Sequence, residues 1–168
     1  QLALNRIDYD AVLELRKSKV KGDGVEGPGN KHISELGIGN QTGTVNKNKL
    51  SKAEFAQAEE VVNLKGGHFE GQVTSNTPGI DGHLNGTPVS LKEYTGNSVS
   101  GVLKHVSKSE TQVANAGLSN VDIYVNAKNI SKEALIDFAG NGPLVDIPNQ
   151  GYIKNIYVQT ADGWVLIN

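Results

Sequence analysis

Apolar positions between residues 97 and 117 line one side of a helix. In "NSVSGVLKHVSKSETQVANAG", Val99, Val102, Leu103, Val106 and Val113 recur at spacings of three, four and seven, the period of one buried stripe. A second helix is predicted from residue 50. "LSKAEFAQAEEVVNLKGG" sets Ser51 and Glu54 at capping-box spacing and ends on Gly66-Gly67, so it has both start and stop chemistry. "HFEGQVT" (68–74) alternates like a strand, and "VDIYVNA" (121–127) is an apolar run that reads as a buried strand. "SKEALIDFAGNG" (131–142) has a serine cap, a glutamate in its first turn and a glycine at its end, the marks of a short helix. "YIKNIYVQTADGWVLIN" (152–168) reads as a hairpin around Asp162-Gly163. "PGIDGHLNGTPVSLKEY" (78–94) is a second hairpin, with two short apolar runs around Asn85-Gly86. The order α-β-β-β-α-β-α-β-β predicts an α/β fold, a mixed sheet with helices packed on it.

The first third has weaker patterning. "DYDAVLELRKSK" (8–19) reads as one helix with Val12, Leu13 and Leu15 inward, and "GDGVEGPGN" (22–30) as a loop. "HISELGIGNQTGTVNKNK" (32–49) holds one short helical turn. The expected division is a linker or peripheral segment over 1–49 and a folded domain over 50–168.

Bulk composition narrows the function classes. The 168 residues suit one domain with a real core. A net charge of −2 gives no global attraction to polyanions, so any nucleic-acid contact must be a local patch. With no cysteine, disulfides and thiolate metal sites are excluded. No apolar run approaches membrane-spanning length, and the N-terminus has no signal-peptide pattern. The chain begins at Gln1 and has no methionine, which reads as a segment of a longer polypeptide. There is no P-loop, no GxGxxG followed by a helix and no GxSxG.

The Asn85-Gly86 turn fixes a register by counting outward. Leu84 faces Thr87, His83 faces Pro88, Gly82 faces Val89 and Asp81 faces Ser90. Alternation then puts Ile80, Val89 and Leu91 on an apolar face, and Asp81, Ser90 and Lys92 on the other. A carboxylate, a hydroxyl and an ammonium converge. The bland alternative is an amphipathic hairpin with a solvated outer face.

This constellation resembles the PD-(D/E)XK nuclease core, in which a helix bears a Glu, a strand an Asp, and the next strand (D/E)xK. The matching residues are Glu59 or Glu60, with Glu60 preferred, then Asp81, then Ser90-Leu91-Lys92. Ser90 departs from the family's usual acidic residue. "GGHFEG…TPGIDGHLNGTPVSLKE" also resembles the C-terminal toxin domains of contact-dependent growth inhibition exoproteins, over roughly residues 50–168. The resemblance implies a restriction-endonuclease-like core and a metal-dependent nuclease toxin. Such a domain is part of a secreted or cell-surface exoprotein and acts in the target-cell cytoplasm. It is neutralised by a cognate immunity protein. Asp81 and Glu60 would hold a divalent cation, Mg²⁺, Mn²⁺ or Zn²⁺. Lys92 would stabilise developing phosphate charge, and Ser90 would bond a water of the cation.

Further candidates lie around this core. Glu70, His68 and His83 are possible extra ligands, and Glu93 is a strand-end charge or a second ligand. Lys104, His105 and Lys108 form a basic strip on the helix over 97–117, suited to phosphate contact. The substrate is DNA, put slightly first, or tRNA. The alternative function is a non-catalytic binding module of a large bacterial surface protein.

Overall fold

The computed structural model describes residues 32–46, 50–72 and 79–168. The helix expected over 8–19 and the loop over 22–30 lie outside the described residues. So do residues 73 and 74 of the strand expected over 68–74.

An eight-stranded mixed sheet with flanking helices makes this an α/β fold. Its strands are β1 (Ile33–Gly37), β2 (Gly43–Asn46), β3 (Gly67–Gly71), β4 (Gly82–Leu84), β5 (Thr87–Glu93), β6 (Val121–Asn126), β7 (Ile153–Thr160) and β8 (Gly163–Ile167). The helices are α1 (Lys52–Lys65), α2 (Val99–Asn115) and α3 (Lys132–Gly140), and a 3₁₀ segment, Pro143–Gln150, precedes β7. Across the sheet the order is β1-β8-β7-β6-β5-β4-β3-β2. From β3 to β8, neighbours in sequence are therefore neighbours in space. β5, β6 and β7 run parallel, and β4 and β8 run antiparallel to their neighbours.

Local chemistry explains the boundaries. Ser51 and Glu54 cap α1 reciprocally: Glu54 N–H donates to Ser51 Oγ at 3.1 Å, and Ser51 N–H to Glu54 Oε1 at 2.9 Å. Gly66 ends the helix at φ 74°, a conformation that suits a residue without Cβ. Ser131 caps α3 through Ala134 N–H. The β7–β8 turn centres on Ala161-Asp162, one residue before the expected Asp162-Gly163. Thr160 Oγ1 fixes it by accepting from Asp162 N–H at 3.1 Å and donating to Gly163 O at 2.6 Å.

Two cores lie on opposite faces of the sheet. One, under α2 and α3, is built on Val102, Val106, Ile123, Val125, Leu135, Ile156 and Val158. The other holds Ala58 and Val61 of α1 with Phe69, Val89 and Leu91. In it Tyr124 stacks on Tyr157, ring centroids 4.4 Å apart, and Trp164 meets Tyr124 edge-on.

Residues 32–46, the described part of the stretch 32–49, depart from expectation. In place of one helical turn they supply β1 and β2, the two outer strands of the sheet. β1 pairs with β8, Ile33 opposite Ile167, and β2 runs parallel to β3. The connection between them crosses the last turn of α1, where Gln41 N–H donates to Asn63 O at 2.7 Å. At Gly39 any side chain would collide with the Asn63 backbone, so the crossing requires glycine.

Candidate functional site

The site is built on the β4–β5 hairpin. Asn85 and Gly86 both have positive φ, 50° and 90°, the pattern of a two-residue primed turn. The expected pairs Leu84–Thr87, His83–Pro88 and Gly82–Val89 are present. The ladder then stops. Asp81 N–H still donates to Val89 O at 2.8 Å, but Leu91 N–H is taken by the Asp81 side chain, Oδ2 at 2.7 Å. A carboxylate thus replaces a backbone carbonyl where β4 begins.

That substitution corrects the expected faces. Val89 and Leu91 pack under α1, but Ile80 joins the opposite core under α2, because strand alternation is lost beyond Gly82. Ser90 and Lys92 do not form a solvated outer face either. α2 covers them: Ser90 is fully buried, with Oγ 3.0 Å from Ser109 Oγ, and Lys92 Nζ donates to Gln112 Oε1 at 3.3 Å. Ser90 therefore has a protein partner where a water of the cation was expected.

The helix carboxylate beside Asp81 is Glu54, and this corrects the choice of Glu60 or Glu59. Glu60 bonds Lys128 Nζ at 2.7 Å and receives Asn126 Nδ2 at 3.4 Å. Glu59 is exposed. The reason is helical phase. The buried residues of α1 are Gln57, Ala58, Val61 and Val62. Glu54 precedes the first two by three and four positions and shares their face, whereas Glu60 is turned about 200° from Ala58. The sequence carried this signal, but Glu54 already had a role as a cap. Gln57 was also missed. Its side chain donates to Lys92 O at 2.7 Å and ties α1 to the same stretch of β5.

Burial pushes the Asp81 carboxyl above its ordinary range. The Glu54 carboxyl pushes the same way by charge and by a side-chain hydrogen bond, while Leu91 N–H and the Lys92 ammonium pull it back. Two carboxyl groups near one another offer the hard oxygen donors that a divalent cation takes.

Comparison of the chain with protein-family models, curated proteins and solved structures returns no match.

The remaining candidates fall into place around this centre. His68 and Glu70 belong to a separate chain of contacts on β2 and β3. Thr44 Oγ1 lies 2.7 Å from His68 Nδ1, His68 Nε2 lies 2.7 Å from Glu70 Oε1, and Asn46 Nδ2 donates to Glu70 Oε2. His83 sits opposite Pro88 and Glu70, and Glu93 is exposed at the end of β5. Among the described residues no group of three His, Asp or Glu side chains is arranged to hold a metal ion. The extra ligands are thus not assembled around Asp81. Lys104 and Lys108 are exposed on α2 and, at four-residue spacing, lead to Gln112. His105 leaves the strip: Nδ1 is 3.0 Å from Gly101 O, and the ring packs 5.1 Å from that of Tyr94. A cavity lined by Ile38, Lys128, Gln159 and Trp164 lies apart, with none of the centre's residues in its wall. Among the described residues no helix is long and apolar enough to cross a membrane.

Proposed function

We propose that this chain is a metal-dependent endonuclease of the PD-(D/E)XK type, acting as a toxin in neighbouring bacteria. One observation carries the reading. Asp81 comes from a strand entrance, Glu54 from a helix and Lys92 from the next strand, and the charges of Glu54 and Lys92 both act on the Asp81 carboxyl. The order α1-β3-β4-β5-α2-β6, with β3 to β6 adjacent in space, supports a restriction-endonuclease-like core. Delivery within a surface exoprotein and an immunity partner rest on the sequence resemblance.

In this reading Asp81 and Glu54 would hold the cation, which would supply Lewis-acid polarisation of the scissile phosphate and a more acidic attacking water. Lys92 places its ammonium where negative charge grows on the phosphate. Leu91 N–H holds the Asp81 carboxylate in direction, and Gln57 holds the backbone at Lys92. Lys104 and Lys108 take flanking phosphates, DNA or tRNA serving equally.

The purified chain is incubated with plasmid DNA and with total tRNA in Mg²⁺, Mn²⁺ or Zn²⁺. Cleavage of either, stopped by EDTA, is the expected result. Cleavage of neither with all three metals overturns the proposal and leaves the binding-module reading.

A further inference from the structure

We propose that Gln112 of α2 is a positioning residue that aims Lys92 for phosphodiester cleavage, and that the buried Ser90–Ser109 bond sets the register of α2 on β5 that makes this possible. This rests on the nuclease reading above. Ser90 and Lys92 are two apart on β5 and project to one face, roughly 7 Å apart along the strand. Ser109 and Gln112 are three apart on α2, so they too share a face, one above the other. The two spacings match closely enough for two simultaneous hydrogen bonds, Ser90 to Ser109 at 3.0 Å and Lys92 to Gln112 at 3.3 Å.

The chemistry of each partner fits an aiming role. Lys92 ends a flexible four-carbon stem, and an acceptor fixes where its ammonium points. An amide oxygen does this without neutralising the charge, which a carboxylate would do. The Lys92 charge, which also acts on the Asp81 carboxyl, is not cancelled by this partner and can still meet a phosphate. Ser90 and Ser109 are both fully buried, so each hydroxyl depends on the other for a partner. Gly79 adds a steric limit: a Cβ there would lie 3.3 Å from Gln112 Cβ, a tight contact. The segment entering Asp81 and the residue holding Lys92 are thus packed together.

Steady-state cleavage by the full chain tests this on whichever nucleic acid the wild type cuts. Gln112→Met keeps length and loses the acceptor. It is expected to lower kcat about tenfold with KM and cation affinity unchanged. In a Lys92→Met background the same change should have no further effect on kcat, because it acts through Lys92. Ser109→Ala is expected to lower kcat less, and to be silent in a Ser90→Ala background. A loss of equal size in both backgrounds overturns the proposal, as does full kcat in Gln112→Met. NMR of the Lys92 side chain separates this from the nuclease reading. Two distinct Hε resonances are expected in the wild type, collapsing to one in Gln112→Met. A single Hε resonance in the wild type overturns the clamp whatever the activity. A wild type with distinct resonances but no cleavage overturns the nuclease reading, and with it the catalytic purpose assigned here.

Discussion

Asp81 Oδ2 accepts the backbone N–H of Leu91 at 2.7 Å, so one side chain both ends the β4–β5 ladder and forms half of the carboxyl pair. The two jobs separate by substitution. Asp81→Asn keeps an oxygen for Leu91 and removes the charge. Cleavage should vanish while the melting temperature does not fall. Asp81→Ala also strips the partner from a part-buried N–H and should lose a further 1–3 kcal/mol, on the order of one unmade hydrogen bond. Thermal melts beside a cleavage assay check both. An Asp81→Asn variant with full cleavage sinks the site.

The same carboxyl makes stability depend on pH. Its folded pKa is raised, so the folded state binds a proton that the unfolded state releases first. The contribution is fully present below the unfolded value near 3.8 and is lost as pH rises through the folded value. Relative to Asp81→Asn, the wild type should therefore lose stability with rising pH across that window. A divalent cation should restore it by taking the place of the proton. Melting temperatures of both proteins across pH, with and without Mg²⁺ or Zn²⁺, decide the matter. Parallel curves would contradict it.

Glu54 and Glu60 give opposite expectations. Glu54→Gln keeps a capping-box side chain, since glutamine serves at that position. The helix should persist while cation affinity falls at least tenfold and cleavage is lost. Glu60→Gln breaks only the part-exposed pair with Lys128, for about 1 kcal/mol or less, and should cleave normally. Calorimetric cation titration of both variants distinguishes them. If Glu60→Gln is the inactive one, the assignment reverses.

Lys104→Ala and Lys108→Ala should weaken substrate binding without changing kcat. Each lysine on a phosphate should reduce the slope of log affinity against log salt by about 0.9 for duplex DNA. A His105 variant should leave the slope alone, since that ring packs on Tyr94. Binding isotherms at several salt concentrations read the slopes, and an unchanged slope in both lysine variants removes the strip from the interface.

What the sequence disclosed was local. Asn85-Gly86 specifies a turn by itself, and register follows by counting. Ser51 and Glu54 specify a helix start by spacing alone. β1 and β2 escaped because their partners are remote and their side chains are mostly exposed, so they carry no strong alternation. Ile80 was assigned to the wrong face because counting assumes an unbroken ladder, and Asp81 breaks it. Glu54 was visible as a cap, and that role hid its second one. Gln57 and Gln112 are polar residues on helices, indistinguishable in sequence from a solvated surface until β5 is seen beneath them.

The outermost strand has a consequence for how the chain assembles. His32 Nδ1 lies 3.1 Å from Asn168 O, 136 positions on, and Ile33 pairs with Ile167. During synthesis β1 is made before the rest of the sheet, yet among the described residues its one neighbour in the sheet is β8. The strands from β3 to β7 can associate in the order in which they emerge, each onto the last. β1 must wait, its backbone groups open, until β8 has been made and laid against β7. Contacts of such long sequence separation close late and slowly. That seam therefore closes the longest loop of any strand pairing among the described residues, and until it shuts its edge is open to a mistaken partner.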